Sequence, residues 1–199
     1  MLSVAKKFPW LKDLGGLLVF GLAVLIGTIL INTYVFRSFN VEGPSMEPTM
    51  HTGDRLIVNR LPVTWAQLQN KEYIPERGQI IVFKNPRYTI GSPDEYIVKR
   101  VIGLPGERVQ LKNGQFTVFN DENPQGFNPD DYNHGEPGSP TSGIEKTVTV
   151  PEGTLYVAGD HREGNYSFDS RNGLGFVPLY DVVGPVSARI LPITGLRGF

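Results

Sequence analysis

A mainly β domain carried behind one N-terminal transmembrane helix is the architecture this sequence predicts. Three observations predict it. An uncharged, apolar run from Leu14 to Phe36 stands near the start of a chain of 199 residues. Short strand-like segments then recur, separated by turn formers. The chain holds 23 glycines and 16 prolines, a loop-rich composition that favours a sheet over a helical bundle.

The apolar run is 23 residues long. As a helix it spans about 34 Å at ~1.5 Å per residue, enough for a hydrocarbon core of ~30 Å. Trp10 and Tyr34 stand near its two ends, where amphipathic aromatics favour the interface. A cleaved secretory signal is the alternative, but its apolar core is about 7–15 residues and ends in a small-x-small site. The stretch from Asn32 to Arg37 offers no such site. Lys6, Lys7 and Lys12 precede the run, Arg37 follows it, and Asp13 is the one acid beside it. That asymmetry places residues 1–13 in the cytoplasm, 14–36 in the membrane and 37–199 outside.

The soluble part reads as strands at Arg55–Val58, Gln79–Phe83, Glu95–Ile102, Arg108–Leu111, Gln115–Phe119, Lys146–Val150, Thr154–Ala158 and Asp181–Ile190. Asn113-Gly114 reads as a hairpin turn, because both residues tolerate positive φ. Thr64–Asn70 reads as a short helix. Asn120–Gly143, with four prolines and acids at Asp121, Glu122, Asp130, Asp131 and Glu136, reads as a polar excursion from the sheet, too polar to pack.

Composition excludes several functions. The absence of cysteine removes zinc ribbons, thiol catalysis and disulfide frameworks. A formal charge of −1 leaves no basic footprint for nucleic acid. No GxGxxG or Walker loop, HExxH or calcium loop is present, so neither cofactor nor metal is expected.

Three segments carry chemistry. Nine residues beyond Phe36 stands Ser45, in Gly43-Pro44-Ser45-Met46-Glu47-Pro48-Thr49. The two prolines restrict φ around it, and a rigid loop can hold a hydroxyl in one orientation. A plain turn is the alternative. Lys99 lies in the strand Tyr96-Ile97-Val98-Lys99-Arg100-Val101-Ile102, on one face with Ile97 and Val101. Burial there disfavours its charge, which suits a general base, whereas a half-exposed strand would leave the amine in water. The third segment, Gly159 to Arg171, is dense in hydroxyls and paired charges, and reads either as part of a site or as a solvated loop. Serine with a lysine base is one of few ways to cut an amide without histidine or metal. His51, His134 and His161 are scattered, and no GxSxG elbow accompanies them.

These segments, in order, resemble those of type I signal peptidases, membrane-bound serine proteases that remove signal peptides from exported proteins. Ser45-Met46-Glu47-Pro48-Thr49 is similar to the family's nucleophile box, and Gly53 to Arg60 to the strand that follows. Lys99 to Glu107 is similar to the base box, and Ser167-Phe168-Asp169-Ser170-Arg171 to the last. The resemblance implies a β-rich catalytic domain with Ser45 as nucleophile, Lys99 as general base and Ser167 aiming the lysine. It implies the Ser45 amide as an oxyanion donor and Arg100, Asp160, Asp169 and Arg171 as supporting ion pairs. It implies no cofactor. Its partners would be exported preproteins with small residues at −1 and −3, membrane lipid and the secretion translocon, at a plasma or inner membrane.

Four positions depart from the family's pattern. His161 stands where asparagine is usual, and Gly43 where some members carry a hydroxyl residue. Two extra residues separate Gly159 from Ser167, and one precedes Gly175-Phe176-Val177. A peptidase dedicated to one client, or an idle scaffold that binds exported chains, are the rival readings. Retention of both Ser45 and Lys99 argues against the scaffold.

Overall fold

The computed structural model describes residues 10–91, 95–133, 138 and 140–199, with side chains from Leu14 onward. Lys6, Lys7, His134, Glu136 and the side chains of Trp10, Lys12 and Asp13 lie outside the described residues.

Helix α1 (Trp10–Leu30) continues into a π-helical turn, Ile31–Val35. The stretch able to cross a membrane, Leu14–Val35, is exposed along its length and touches the rest of the domain only at its last turn, where Arg60 and Thr64 meet it. Two of its polar side chains bond back to the helix's own carbonyls. Thr28 Oγ1 donates to the Val24 carbonyl at 2.8 Å and Asn32 Nδ2 to the Thr28 carbonyl at 3.1 Å. Apolar surroundings therefore do not strand these groups. Phe36, expected in the anchor, is not helical. It opens strand β1 (Phe36–Asn40), where it pairs with Asn59. Hydrophobicity cannot separate a membrane residue from the first residue of a strand, and the partner strand decides.

The other strands are β2 (Arg55–Asn59), β3 (Ile80–Lys84), β4 (Tyr96–Gly103), β5 (Arg108–Lys112), β6 (Gln115–Phe119), β7 (Lys146–Thr149), β8 (Thr154–Ala158), β9 (Val177–Pro178), β10 (Val182–Leu191) and β11 (Arg197–Gly198). The main sheet runs in the order β1-β2-β10-β3-β4-β8-β9, with β11 beside β10. A second sheet runs β6-β5-β7. Asn113 (φ 50°) and Gly114 (φ 73°) turn β5 into β6, as their sequence predicts. The strands β1, β9 and β11 were not anticipated. Two are only two residues long, and β1 hides in the tail of the anchor.

The short helix α2 is Leu61–Leu68, three residues earlier at its start than Thr64. Leu61-Pro62 looks like a break, but proline is tolerated in a first helical turn, where no intrahelical N–H partner is needed. Asn59 Oδ1 accepts the Leu61 N–H at 3.0 Å.

Three apolar clusters fill the domain. Met46, Met50, Leu56, Val58, Ile80 and Val82 belong to one. Ile81, Phe83, Ile97, Val101, Leu155 and Val157 belong to a second. Ile102, Val109, Phe116, Val118 and Tyr156 join the small sheet to the large one in the third.

The excursion from Asn120 to Gly143 leaves the sheet but is not too polar to pack. A 3₁₀ turn, Pro129–Tyr132, brings Asp130 to within 2.7 Å of the buried Arg162 guanidinium. Arg162 also donates to the carbonyls of Gly138 at 2.8 Å and Gly159 at 2.9 Å, and lies over the Phe116 ring. Composition suggests solvation here, yet one buried cation collects the segment's polar groups. Removing one partner of such a pair leaves the other buried and uncompensated. Arg162→Ala is therefore expected to lower stability by about 3–5 kcal/mol, read from the urea midpoint of the folded chain. A loss below about 1 kcal/mol, the range of a surface pair, would show the excursion to be loosely attached.

Candidate active site

Ser45 sits in the loop between β1 and β2, and the loop's shape follows from its own sequence. Gly43 adopts φ +82°, a region that side-chain-bearing residues avoid. Glu47 N–H donates to the Pro44 carbonyl and Met50 N–H to the Met46 carbonyl, both at 3.0 Å. Met46 and Met50 are fully buried and pin the loop to the core under β2 and β3. The base of the loop closes where Val41 N–H donates to the Asp54 carbonyl at 2.8 Å. Ser45, half-buried, is left at the surface of a cleft.

Lys99 lies on β4 between the buried Ile97 and Val101 and is itself only 3% exposed. Its Nζ is 2.7 Å from Ser45 Oγ and 2.7 Å from the Val98 carbonyl oxygen. The two residues, 54 positions apart, thus share a hydrogen bond.

The neighbouring Arg100 donates through Nε and Nη2 to Asp160 at 2.7 and 2.5 Å, and through Nη1 to the Gly78 carbonyl at 2.7 Å. Asp160 also accepts from Thr49 Oγ1 at 2.6 Å. One buried carboxylate therefore ties the serine loop to the lysine strand. The segment after β8 closes on the same loop. His161 N–H donates to the Ser45 carbonyl at 3.1 Å, and His161 Nδ1 lies 3.1 Å from the Pro44 carbonyl. Gly159 makes this approach possible. A Cβ there would lie 2.3 Å from both the Ser45 carbonyl oxygen and Ser167 Oγ.

Asp169 is fully buried against Arg171, whose Nη2 donates to it at 2.7 Å, and it accepts the Gly159 N–H at 2.9 Å. Burial works against the charged carboxylate, but the Arg171 hydrogen bonds and charge, with the Ser167 hydroxyl and the Gly159 amide, overcome it and hold its pKa below the ordinary value. Arg171 reaches on to the carbonyls of Ser142 at 3.1 Å and Arg162 at 2.8 Å.

Ser167 is fully enclosed; no hydrogen bond joins its Oγ to Lys99, and the polar group that it serves is the Asp169 carboxylate, whose charged form it helps to stabilise. The neighbouring hydroxyls are placed elsewhere. Ser170 Oγ accepts from Val157 N–H at 2.9 Å and donates to the Gly175 carbonyl at 2.7 Å. Tyr166 is exposed and stacks on His161, with ring centroids 4.5 Å apart.

The structure thus brings together Ser45 and Lys99, Arg100 and Asp160, and Asp169 and Arg171. Sequence reasoning assigned no role to Thr49, although it lies inside the serine motif, and did not pair Arg162 with Asp130. Position four residues after Ser45 was the one available signal for Thr49. Nothing local marks Asp130. Among the described residues no cluster of histidine, aspartate or glutamate has the makings of a metal site.

The cleft, about 440 Å³, is lined by Phe39 to Ser45 on one side and Glu95 to Lys99 on the other, with Tyr166 and Phe168 at its rim. β4 pairs with β3 from Tyr96 to Arg100, but with β8 only from Arg100 onward. The first half of β4 therefore has an open edge where it faces the cleft.

A family model described as signal peptidase, peptidase S26, matches residues 13–191. The chain is 30% identical over 201 residues to a signal peptidase I of Bacillus licheniformis, covering 98% of this chain and 96% of that one. It is 33% identical over 177 residues to signal peptidase I T of Bacillus subtilis strain 168, covering 88% and 84%. A crystal structure of a signal peptidase I from Enterococcus faecalis V583 is 30% identical, covers 56% of this chain and 95% of its own, and superposes with a TM-score of 0.40. With a family match along nearly its whole length and an apolar helix at its start, this membrane-anchored chain belongs to the signal peptidase (peptidase S26) family of serine-type endopeptidases.

Proposed function

We propose that the chain removes N-terminal signal peptides from exported preproteins at small-x-small sites, with Ser45 as nucleophile and Lys99 as general base. The observation that carries this reading is the 2.7 Å contact between Lys99 Nζ and Ser45 Oγ at the wall of a cleft beside an open strand edge.

The neutral amine of Lys99 takes the Ser45 proton as Oγ attacks the scissile carbonyl carbon. The resulting ammonium hands that proton to the leaving amine, and water then releases the acyl group by the same relay. The Ser45 N–H stabilises the oxyanion. Gly43 cannot supply a second donor from a side chain. A Cβ would meet nothing within 4 Å, but at φ +82° a serine or threonine would be strained. The substrate adds as a strand along Tyr96–Lys99, with its main chain paired to the open edge of β4. Ser167 orients the lysine amine when substrate closes the cleft. Arg100–Asp160 and Asp169–Arg171 hold the two segments in place. Residues 1–13 lie in the cytoplasm and 37–199 outside, at a plasma or inner membrane, where the secretion translocon delivers substrate.

Ser45→Ala and Lys99→Ala are each expected to lower cleavage of a purified preprotein by about 10⁴-fold or more, because nucleophile and base act as a unit. Lys99→Arg should fail equally, since guanidinium does not give up its proton. Near-normal turnover in any of the three refutes the dyad. In sealed right-side-out vesicles the wild-type chain should cleave preprotein added outside. Cleavage only after the vesicles are opened would reverse the assigned orientation.

Ser167 positions the base and does not react, so Ser167→Ala should lower kcat by roughly 10- to 1000-fold, the worth of one buried hydrogen bond to a charged group. Ser170→Ala should leave kcat much closer to wild type, since its hydroxyl serves Val157 and Gly175. Full activity of Ser167→Ala beside a crippled Ser170→Ala would exchange their roles.

Asp169 sets a pH dependence of stability. Its folded pKa lies below its unfolded one, so its contribution is complete above the ordinary carboxylate range and is lost as pH falls through the folded value. The gap in urea midpoint between wild type and Asp169→Asn should stay constant from neutral pH down to about pH 4 and shrink below it. A gap that grows on acidification would contradict the pairing with Arg171.

A further inference from the structure

Where the membrane helix ends, the fold gathers three arginines that sequence scatters. Arg37 begins the soluble domain, Arg55 opens β2 and Arg60 precedes α2. Together with Asn32, Thr33 and Ser38 they line an open hollow of about 580 Å³. Asn32 and Thr33 belong to the last turn of the apolar helix, so the hollow sits at the level where lipid headgroups lie.

Among the described residues these three cations have no carboxylate partner. Arg77, Arg100, Arg162, Arg171 and Arg189 each pair with a carboxylate. Arg37 instead lies over the rings of Phe39 and Tyr96, 5.0 and 4.5 Å from their centroids, and Arg55 Nε donates to Ser38 Oγ at 2.8 Å. Arg60 Nε is buried with no partner at all. Burial, and then the charge of Arg37, push the Arg60 pKa down. Guanidinium is the group best matched to phosphate oxygens, and an unfilled donor there has a natural acceptor in phosphate.

The adjoining helix is built for lipid. Leu61, Trp65 and Leu68 follow helical spacing on one face of α2 and are 48, 66 and 73% exposed. α2 is fastened to the end of the anchor, because Thr64 Oγ1 donates to the Tyr34 carbonyl and Arg60 N–H to the Val35 carbonyl, each at 2.8 Å. The apolar face is thus continuous with the membrane-spanning surface, and the basic hollow adjoins it. Tryptophan on such a face favours the interface between headgroup and acyl chain.

We propose that Arg37, Arg55 and Arg60 form a binding site for the phosphodiester of an anionic phospholipid, with α2 lying among that lipid's acyl chains beside it. The site orients the catalytic domain on the bilayer and is independent of the peptidase chemistry.

The test uses the full chain in nanodiscs made of phosphatidylcholine and phosphatidylglycerol. The chain has two tryptophans, Trp10 and Trp65, so Trp10→Phe leaves Trp65 as the one fluorophore. Two disc preparations of the same composition are compared, with bromine on the acyl chains of one lipid or of the other. Surface charge is then identical, and only the lipid next to Trp65 differs. Brominated phosphatidylglycerol should quench Trp65 more strongly than its mole fraction allows. Arg37→Gln, Arg55→Gln and Arg60→Gln should each lower that preference about fivefold, as for one cation close to an anionic surface. Should Arg60→Gln not fold, the exposed Arg55→Gln carries the test alone. Equal quenching by the two lipids, or no quenching by either, overturns the proposal. Loss of the preference on adding millimolar glycerol phosphate also overturns it, since the site would then serve a soluble phosphate.

Discussion

The carboxylate of Asp160 is the interaction on which the rest of the site depends. It is 3% exposed and receives two bonds from Arg100, the residue after Lys99, and one from Thr49, four residues after Ser45. Ser45 and Lys99 are 54 positions apart in sequence, and this one carboxylate bonds to the segments that carry both. A buried ion pair is a poor source of net stability, because desolvation offsets most of its attraction. It is a good source of register. A slip of the Ser45 loop would strand a desolvated carboxylate, at a cost of several kcal/mol. The same logic operates one layer out, where Asp169 holds Arg171 and the Gly159 amide, and Gly159 in turn admits the Ser45 carbonyl.

Chain length couples this cluster to the membrane. β1 starts at Phe36, one residue after the helical stretch ends, and Phe39 already lines the cleft. The ten residues from Phe36 to Ser45 could span at most about 36 Å fully extended, and the turn at Gly43–Pro44 shortens that. Ser45 and the cleft beside it are therefore tethered within that distance of the end of the apolar helix.

Much of this was legible in the sequence. The anchor follows from a long uncharged run, and the strands from alternation bounded by turn formers. Ser45 and Lys99 follow from motifs in which rigid or apolar neighbours surround one reactive group. Other features were not. Phe36 reads as membrane because hydropathy does not register strand pairing with Asn59. α2 begins early because Pro62 starts a helix as readily as it ends one. Asp130 and Arg162 are 32 residues apart, in segments that each look solvated, and burial exists only once they meet. Arg37, Arg55 and Arg60 are unremarkable singly, and only the folded chain sets them round one hollow. What escapes is in every case a property of two distant segments.

Lys99, Arg100, Asp160, Arg162, Asp169 and Ser170 are all buried, and each is held by hydrogen bonds or ion pairs. Ser167 Oγ, at the centre of this group, is buried, makes no bond to Lys99, and helps to hold the Asp169 carboxylate in its charged form. Room for it comes from Gly159, where a Cβ would lie 2.3 Å from both Ser167 Oγ and the Ser45 carbonyl oxygen. One missing side chain thus lets the segment after β8 approach the Ser45 loop and the Asp169–Arg171 pair together. A larger residue at position 159 would have to push one of them away, and among the described residues the buried charges behind them have no other partners of comparable strength to move to.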